Sequence, residues 1–154
     1  MKRQPYSQLL DQVRRRLECA GLNGEHARLA AEAICLASLR GTDSHGIRLL
    51  PHYLSALQSG RINLNATFEC ARTGAATAAL DANHGIGHAA VATAMQHAIE
   101  LARESGIGVV AVRNSNHCGA MAYYGLMAPP QGMIGLAFTN ATPKVKVFHA
   151  SSPF

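Results

Sequence analysis

Apolar residues at the start of the chain recur at helical spacing. Tyr6, Leu9, Leu10, Val13 and Leu17 share one stripe, and the run from Gly21 to Gly24 interrupts it. A second helix is predicted from about Glu25 to Leu39. Its stripe of Ala30, Ala33, Ile34 and Ala37 is built from small side chains, which lets a partner helix approach closely. Leu49, Leu50, Tyr53, Leu54 and Leu57 predict a third helix that ends at Gly60. Beyond Asn65 the pattern changes. Strands are predicted at Thr67 to Arg72 and Ala76 to Asp81, then a long helix to about Glu104, then a strand from Ile107 to Arg113. A short helix from Ala120 to Ala128, stopped by Pro129-Pro130, precedes a last strand from Met133 to Thr139. The alternation predicts an α/β fold in which a helical N-terminal segment, residues 1–65, packs on a mixed sheet with helices, residues 66–143.

Composition narrows this picture. With 154 residues and 48% hydrophobic content, the chain has the size of one domain with one core. Its net charge of +5 is scattered. The one dense run, Arg14-Arg15-Arg16, lies in a helical segment without interleaved aromatic residues and reads as a solvated face, so no nucleic-acid partner is expected. The four cysteines, Cys19, Cys35, Cys70 and Cys118, show no C-x-x-C spacing and no secretory signal pattern, which predicts free thiols in a cytoplasmic protein. The alanine-rich stretch after Gly87 is interrupted by His88, Gln96, His97 and Glu100, so no membrane span is expected.

Two segments carry candidate chemistry. Asn114-Ser-Asn-His-Cys-Gly-Ala120 sets an imidazole and small residues between a strand and a helix, where backbone N–H groups and a helix dipole favour anions in open α/β sheets. It reads equally well as a polar loop in which His117 caps the helix. Asp43-Ser44-His45-Gly46 offers a second imidazole, the group best suited to exchange protons near neutral pH. Neighbours in sequence need not touch through their side chains, so Asp43 or Ser44 acting as a helix cap is the plainer reading. Gly85-Ile-Gly-His-Ala-Ala90 matches the loose dinucleotide fingerprint G-x-G-x-x-A. The acidic residue such a unit needs at the end of the next strand is replaced by Arg113-Asn114, which favours glycines chosen for a tight turn and close helix packing. Arg113 would instead suit a phosphorylated ribose. His84 and His88, four apart, could share a helix face, but nothing nearby completes a metal site, so none is assigned. His26, His52, His97 and His149 stand alone.

Several blocks together resemble the malate/L-lactate dehydrogenase family: Asp43-Ser-His-Gly46, Pro51-His-Tyr53, Gly60-Arg-Ile-Asn63, Gly85-x-Gly87, Asn114 to Ala120, Gly132-Met-Ile-Gly135 and Thr139-Asn-Ala141. They occur in one order from about Tyr6 to Pro143. The resemblance implies a non-Rossmann NAD(P)-binding fold, incomplete here, and hydride transfer between NAD or NADP and a 2-hydroxy or 2-keto acid, with a homodimer in full-length relatives. It also assigns roles. His45 would donate or accept the proton with Ser44 beside it as part of a relay. His117, Cys118, Gly119, Ala120 and Met121 would lie along the cofactor, with His117 a proton acceptor in some members. Asn140 would approach cofactor or substrate.

The chain departs from this pattern in two places. Family members carry an arginine four residues after the histidine. Here Leu49 stands there, and Arg48, the candidate grip for a substrate carboxylate, comes one place earlier, about 100° away on an α-helix. After Pro143 the family pattern is lost. Residues 144–154 read as an aberrant or truncated tail, leaving out the acidic partner of the Ser44–His45 relay. The expectation is a dehydrogenase by family whose 154-residue chain is inactive as it stands. The alternative is a non-catalytic remnant that binds cofactor or full-length relatives. A Rossmann reading predicts that Gly87→Val abolishes cofactor binding while changing Gly119 does not, and the family reading reverses that order.

Overall fold

The computed structural model describes residues 4–141. Helix α1 (Tyr6–Cys19) buries Val13 and Leu17 from its apolar stripe, and the break at Gly21, φ +97°, turns the chain into α2 (Gly24–Leu39). The Asn23 side chain caps α2 by accepting from the His26 backbone N–H at 2.8 Å. Small residues on α2 let its neighbours approach, so Ala27, Ala30, Ala31 and Ile34 are fully buried where α2 packs on α1 and α4 (Gly87–Ser105), and α3 (Leu50–Gln58) joins the same core. Pro51 sits at the start of α3, where its missing N–H leaves no helical bond unmade.

The sheet has three strands in the order β1-β2-β3 among the described residues. β1 (Glu69–Arg72) and β2 (Thr77–Asp81) form an antiparallel hairpin, while β2, α4 and β3 (Val109–Arg113) make a parallel βαβ unit with Leu80 opposite Val112. Leu80, Ala82, Ala90 and Ala94 seal one face of the sheet against α4. Gly108 allows this closeness, since a Cβ there would overlap the Ala98 carbonyl. The larger core runs continuously from α1 through Ile86 and Ala92 to Tyr124. His26 of α2 stacks on Phe68 at 4.4 Å and ties the helical layer to the strands. The mixed sheet with packed helices agrees with the expected α/β class.

Two predicted elements differ. The helix expected from Ala120 to Ala128 contracts to a single turn, α5 (Ala122–Gly125), followed by looser turns up to Pro129. A four-residue helix has almost no summed dipole, so the expected anion preference at its N-terminus loses its basis. Met133 to Thr139 forms no regular element, with Ile134, Leu136 and Phe138 exposed in alternation, and it pairs with no described strand. Its backbone docks on α5 instead, where Gly135 lies against the Gly125 carbonyl too tightly for a Cβ. Among the described residues no helix is long and apolar enough to cross a membrane, and Cys19, Cys35, Cys70 and Cys118 are unpaired thiols. The aberrant or truncated tail expected at residues 144–154, and His149 with it, lies outside the described residues.

Candidate active site

Two turns meet at the C-terminal ends of β2 and β3. Asp81 closes β2 and accepts from the Asn83 backbone N–H at 2.9 Å and from Asn114 Nδ2 at 2.9 Å. Those bonds hold its carboxyl below the usual range, and Arg113 beside it at 3.1 Å acts in the same sense. Arg113 is therefore engaged in an ion pair. Asn83, His84 and Asn114 adopt φ of +45°, +56° and +52°, a left-handed conformation that non-glycine residues keep only when surroundings impose it. The bonds that impose it join the two turns directly. The His84 N–H donates to the Asn114 carbonyl at 2.8 Å, and Asn116 Nδ2 donates to the carbonyl oxygens of His84 and Gly85 at 2.7 and 3.1 Å. Gly87 completes the junction, because a Cβ there would overlap the Asn116 carbonyl and lie 2.6 Å from that of His117. The Gly85-x-Gly87 pair thus shapes the 114–120 segment. Since α4 begins only at Gly87, His84 lies outside it and does not share a helix face with His88.

The segment so fixed presents His117. Its Nδ1 lies 2.8 Å from the Tyr53 hydroxyl, contributed by α3, and its ring stacks on His45 with centroids 5.8 Å apart. His45 ends a 3-10 turn, Asp43–His45, that follows α2. The turn is anchored where Ser38 Oγ accepts from the Ile47 N–H at 2.9 Å, and Gly46 passes too close to Ser38 for any side chain. Ser44 Oγ lies 3.0 Å from His45 Nδ1, so the adjacent pair does touch, and neither Asp43 nor Ser44 caps a helix. Burial pushes the His117 imidazole below its ordinary pKa, and the neighbouring imidazoles of His45 and His52 act in the same direction.

Behind this pair lies His88, fully buried, with Tyr53 edge-on at 4.7 Å and Gly119 pressed against Nε2. Neither ring nitrogen has a hydrogen-bond partner among the described residues. Desolvation, with a smaller contribution from His117, pushes its pKa down to about 3. The unfolded chain therefore takes up a proton near pH 6.5 that the folded chain refuses until about pH 3. Stability is complete above pH 6.5 and falls as the pH drops, by up to about 1.4 kcal/mol per unit from this one group. Urea unfolding at pH 7 and pH 5 is expected to differ by about 2 kcal/mol on its account. His88→Leu should remove that difference, and an unchanged pH dependence would assign the acid sensitivity elsewhere.

A cleft of about 1670 Å³ opens in front of the imidazoles, lined among others by His45, His117, Cys118, Gly119, Met121 and Asn140. Ala120, half-buried, is not part of the lining. Burial pushes the Cys118 thiol up, which keeps it protonated and suits it to a wall better than to a nucleophile. Ser44 is exposed at the rim beside His45. Arg48 is exposed and stands apart from the cleft lining. It lies in a 3-10 turn, Ile47–Leu49, so it is separated from Leu49 by about 120° and not by the α-helical angle. Leu49 packs against the core, which leaves Arg48 directed away from it.

Two residues of the site were not assigned from the sequence. Tyr53 read as a core position of α3, and it is 1% exposed, but its hydroxyl emerges at His117. His88 read as a weak metal candidate, whereas no group of three potential ligands exists among the described residues. A polar tip on an apolar stripe was the available signal for Tyr53.

The chain is similar to known proteins over most of its length. A malate dehydrogenase from Pyrococcus abyssi is 44% identical over 141 residues, which is 92% of this chain and 39% of that protein. An L-sulfolactate dehydrogenase from Methanocaldococcus jannaschii is 39% identical over 83% of this chain and 37% of its own length. The crystal structure of malate dehydrogenase from Pyrococcus horikoshii OT3 superimposes with a TM-score of 0.82 at 37% identity, covering 86% of this chain and 38% of that one. The chain thus spans well under half the length of the relatives it matches. The malate/L-lactate dehydrogenase family model matches residues 5–154, nearly the whole chain, and the chain belongs to that family.

Proposed function

We propose that this segment supplies the proton-transfer and cofactor-contact portion of an NAD(P)-dependent oxidoreductase acting on a 2-hydroxy or 2-keto acid. The observation that carries the reading is the pair of stacked imidazoles, His45 and His117, at the mouth of a cleft. Reduction of a 2-keto acid adds a hydride to the carbonyl carbon and a proton to its oxygen, and oxidation of the hydroxy acid removes both. A bound nicotinamide supplies or receives the hydride. His45 holds the proton on Nε2, while the Ser44 hydroxyl at Nδ1 orients the ring and acts as the start of a relay. Arg48 is the one arginine in the turn that follows His45; it lies outside the described cleft lining and would hold the substrate carboxylate only by swinging its side chain toward His45.

The described lining suits the nicotinamide end of such a cofactor. Gly119 offers backbone without a side chain, Met121 and Cys118 offer apolar surface, and Asn140 offers an amide to a carboxamide. Ala120 sets the spacing between Gly119 and Met121. No arginine or lysine lines the cleft among the described residues, so nothing in the lining distinguishes NAD from NADP by charge. We extend the reading to a homodimeric, cytoplasmic whole protein with malate, lactate or a similar small acid as substrate; the relatives' names support only the substrate class. The test is oxidation of NADH and NADPH across a panel of 2-oxo acids by the protein that carries this segment. Turnover with at least one acid is expected. Cofactor binding without turnover on any of them would favour a binding role and defeat the oxidoreductase reading.

A further inference from the structure

A neutral imidazole carries one proton and one lone pair, and its neighbours decide which nitrogen holds which. At His117 two groups converge on Nδ1: the Tyr53 hydroxyl at 2.8 Å and the Gly119 backbone N–H at 3.4 Å. An amide N–H can only donate. Its approach therefore makes Nδ1 an acceptor, and the Tyr53 hydroxyl, which can play either part, must donate as well. Two further facts hold this arrangement. Tyr53 is 1% exposed, with its ring edge-on to His88 at 4.7 Å, so the hydroxyl has little freedom to turn away. Gly119 adopts φ +71°, and a Cβ there would lie 2.7 Å from His88 Nε2, so the backbone that carries this N–H packs closely on His88.

We propose that Tyr53 is a positioning residue that locks His117 in the Nε2–H tautomer, making His117 a neutral hydrogen-bond donor to the substrate oxygen and leaving the transferred proton to His45. The inference rests on the oxidoreductase reading for its catalytic meaning, while the tautomer itself is a property of the chain alone. Both imidazoles then have Nδ1 engaged by a hydroxyl, Ser44 at His45 and Tyr53 at His117, and both rings line the cleft with Nε2 left for a ligand. Two positive rings stacked at 5.8 Å would repel, so one proton shared between two roles is the arrangement the packing favours. The groups facing His117 are His45 from the turn after α2, His52 and Tyr53 from α3, His88 from α4 and Cys118 beside it. None is anionic, and none offers charge to stabilise an imidazolium there.

Long-range 1H–15N spectra of the chain labelled with 15N-histidine test this directly, with His117→Gln used to assign the resonance. In the unmodified chain between pH 6 and 8, His117 is expected to show a pyridine-type Nδ1 and a pyrrole-type Nε2. Tyr53→Phe keeps the ring and its packing and removes only the donor. Only the longer Gly119 contact at 3.4 Å then holds Nδ1 as an acceptor, so the Nδ1–H tautomer is expected to gain population at His117 and the titration to move toward the ordinary value near 6.5. A pyrrole-type Nδ1 in the unmodified chain would overturn the proposal, as would a Tyr53→Phe spectrum identical to the unmodified one. Loss of the oxidoreductase reading by failed turnover would not alter these spectra, so the two claims fail separately.

Discussion

Changing His45 to glutamine is expected to slow turnover by about 10²- to 10⁴-fold, the usual contribution of a positioned proton donor. Hydride addition to a carbonyl leaves an alkoxide, whose charge must be met in the transition state. An imidazole meets it by transferring a proton at neutral pH, whereas a glutamine amide can only share one. Glutamine preserves a hydrogen-bonding edge near Ser44, which lies 3.0 Å from His45 Nδ1, so the turn and the cleft should persist. The loss should therefore fall on kcat and on kcat/KM alike, with cofactor affinity, followed by NADH fluorescence, little changed. Equal rates for the two proteins would remove His45 from the chemistry.

Gly87→Ala is expected to destabilise the chain by about 3 kcal/mol, at the upper end of the range for overpacking, because the added Cβ meets backbone on both sides. One side is the His117 carbonyl, 2.6 Å from the added Cβ. The other is the carbonyl of Asn116, which cannot retreat while its side chain is tied to the carbonyl oxygens of His84 and Gly85. For a chain of this length the shift corresponds to a melting temperature lowered by roughly 6–12 °C. If the chain yields locally instead, the 114–120 segment moves and cofactor contact at His117 and Gly119 is lost with it. A Gly87→Ala protein with unaltered melting and unaltered cofactor binding would show that the junction is not held as described. The result also corrects a discrimination made from sequence. Loss of binding on changing Gly87 does not identify a Rossmann turn, because Gly87 and the His117 segment are in direct contact.

Much of the fold was legible in the amino-acid pattern, and the reasons are local. The stripes of α1, α2 and α3 have helical period, the β-branched run before Arg113 suits a strand, and Gly21, Gly60 and Gly106 adopt the left-handed turns that end helices. The two errors, α5 and Met133 to Thr139, are places where neighbours outweigh propensity. Alternating apolar residues make an extended segment, but only a partner in register makes a strand. Gly135 finds the Gly125 carbonyl in place of such a partner.

The sequence by itself determined the class of the fold, the membership of the family through its ordered motifs, and the two imidazoles on which chemistry would turn. Only the tertiary structure decided how they act together. His45 and His117 stand 72 positions apart, and their stacking depends on a glycine packed on Ser38 and another packed on Asn116. Tyr53 and His88 lie on helices whose periodicity marks them only as buried. Which polar atom a buried ring meets depends on the packing of several elements at once, and no single stretch of chain contains that information.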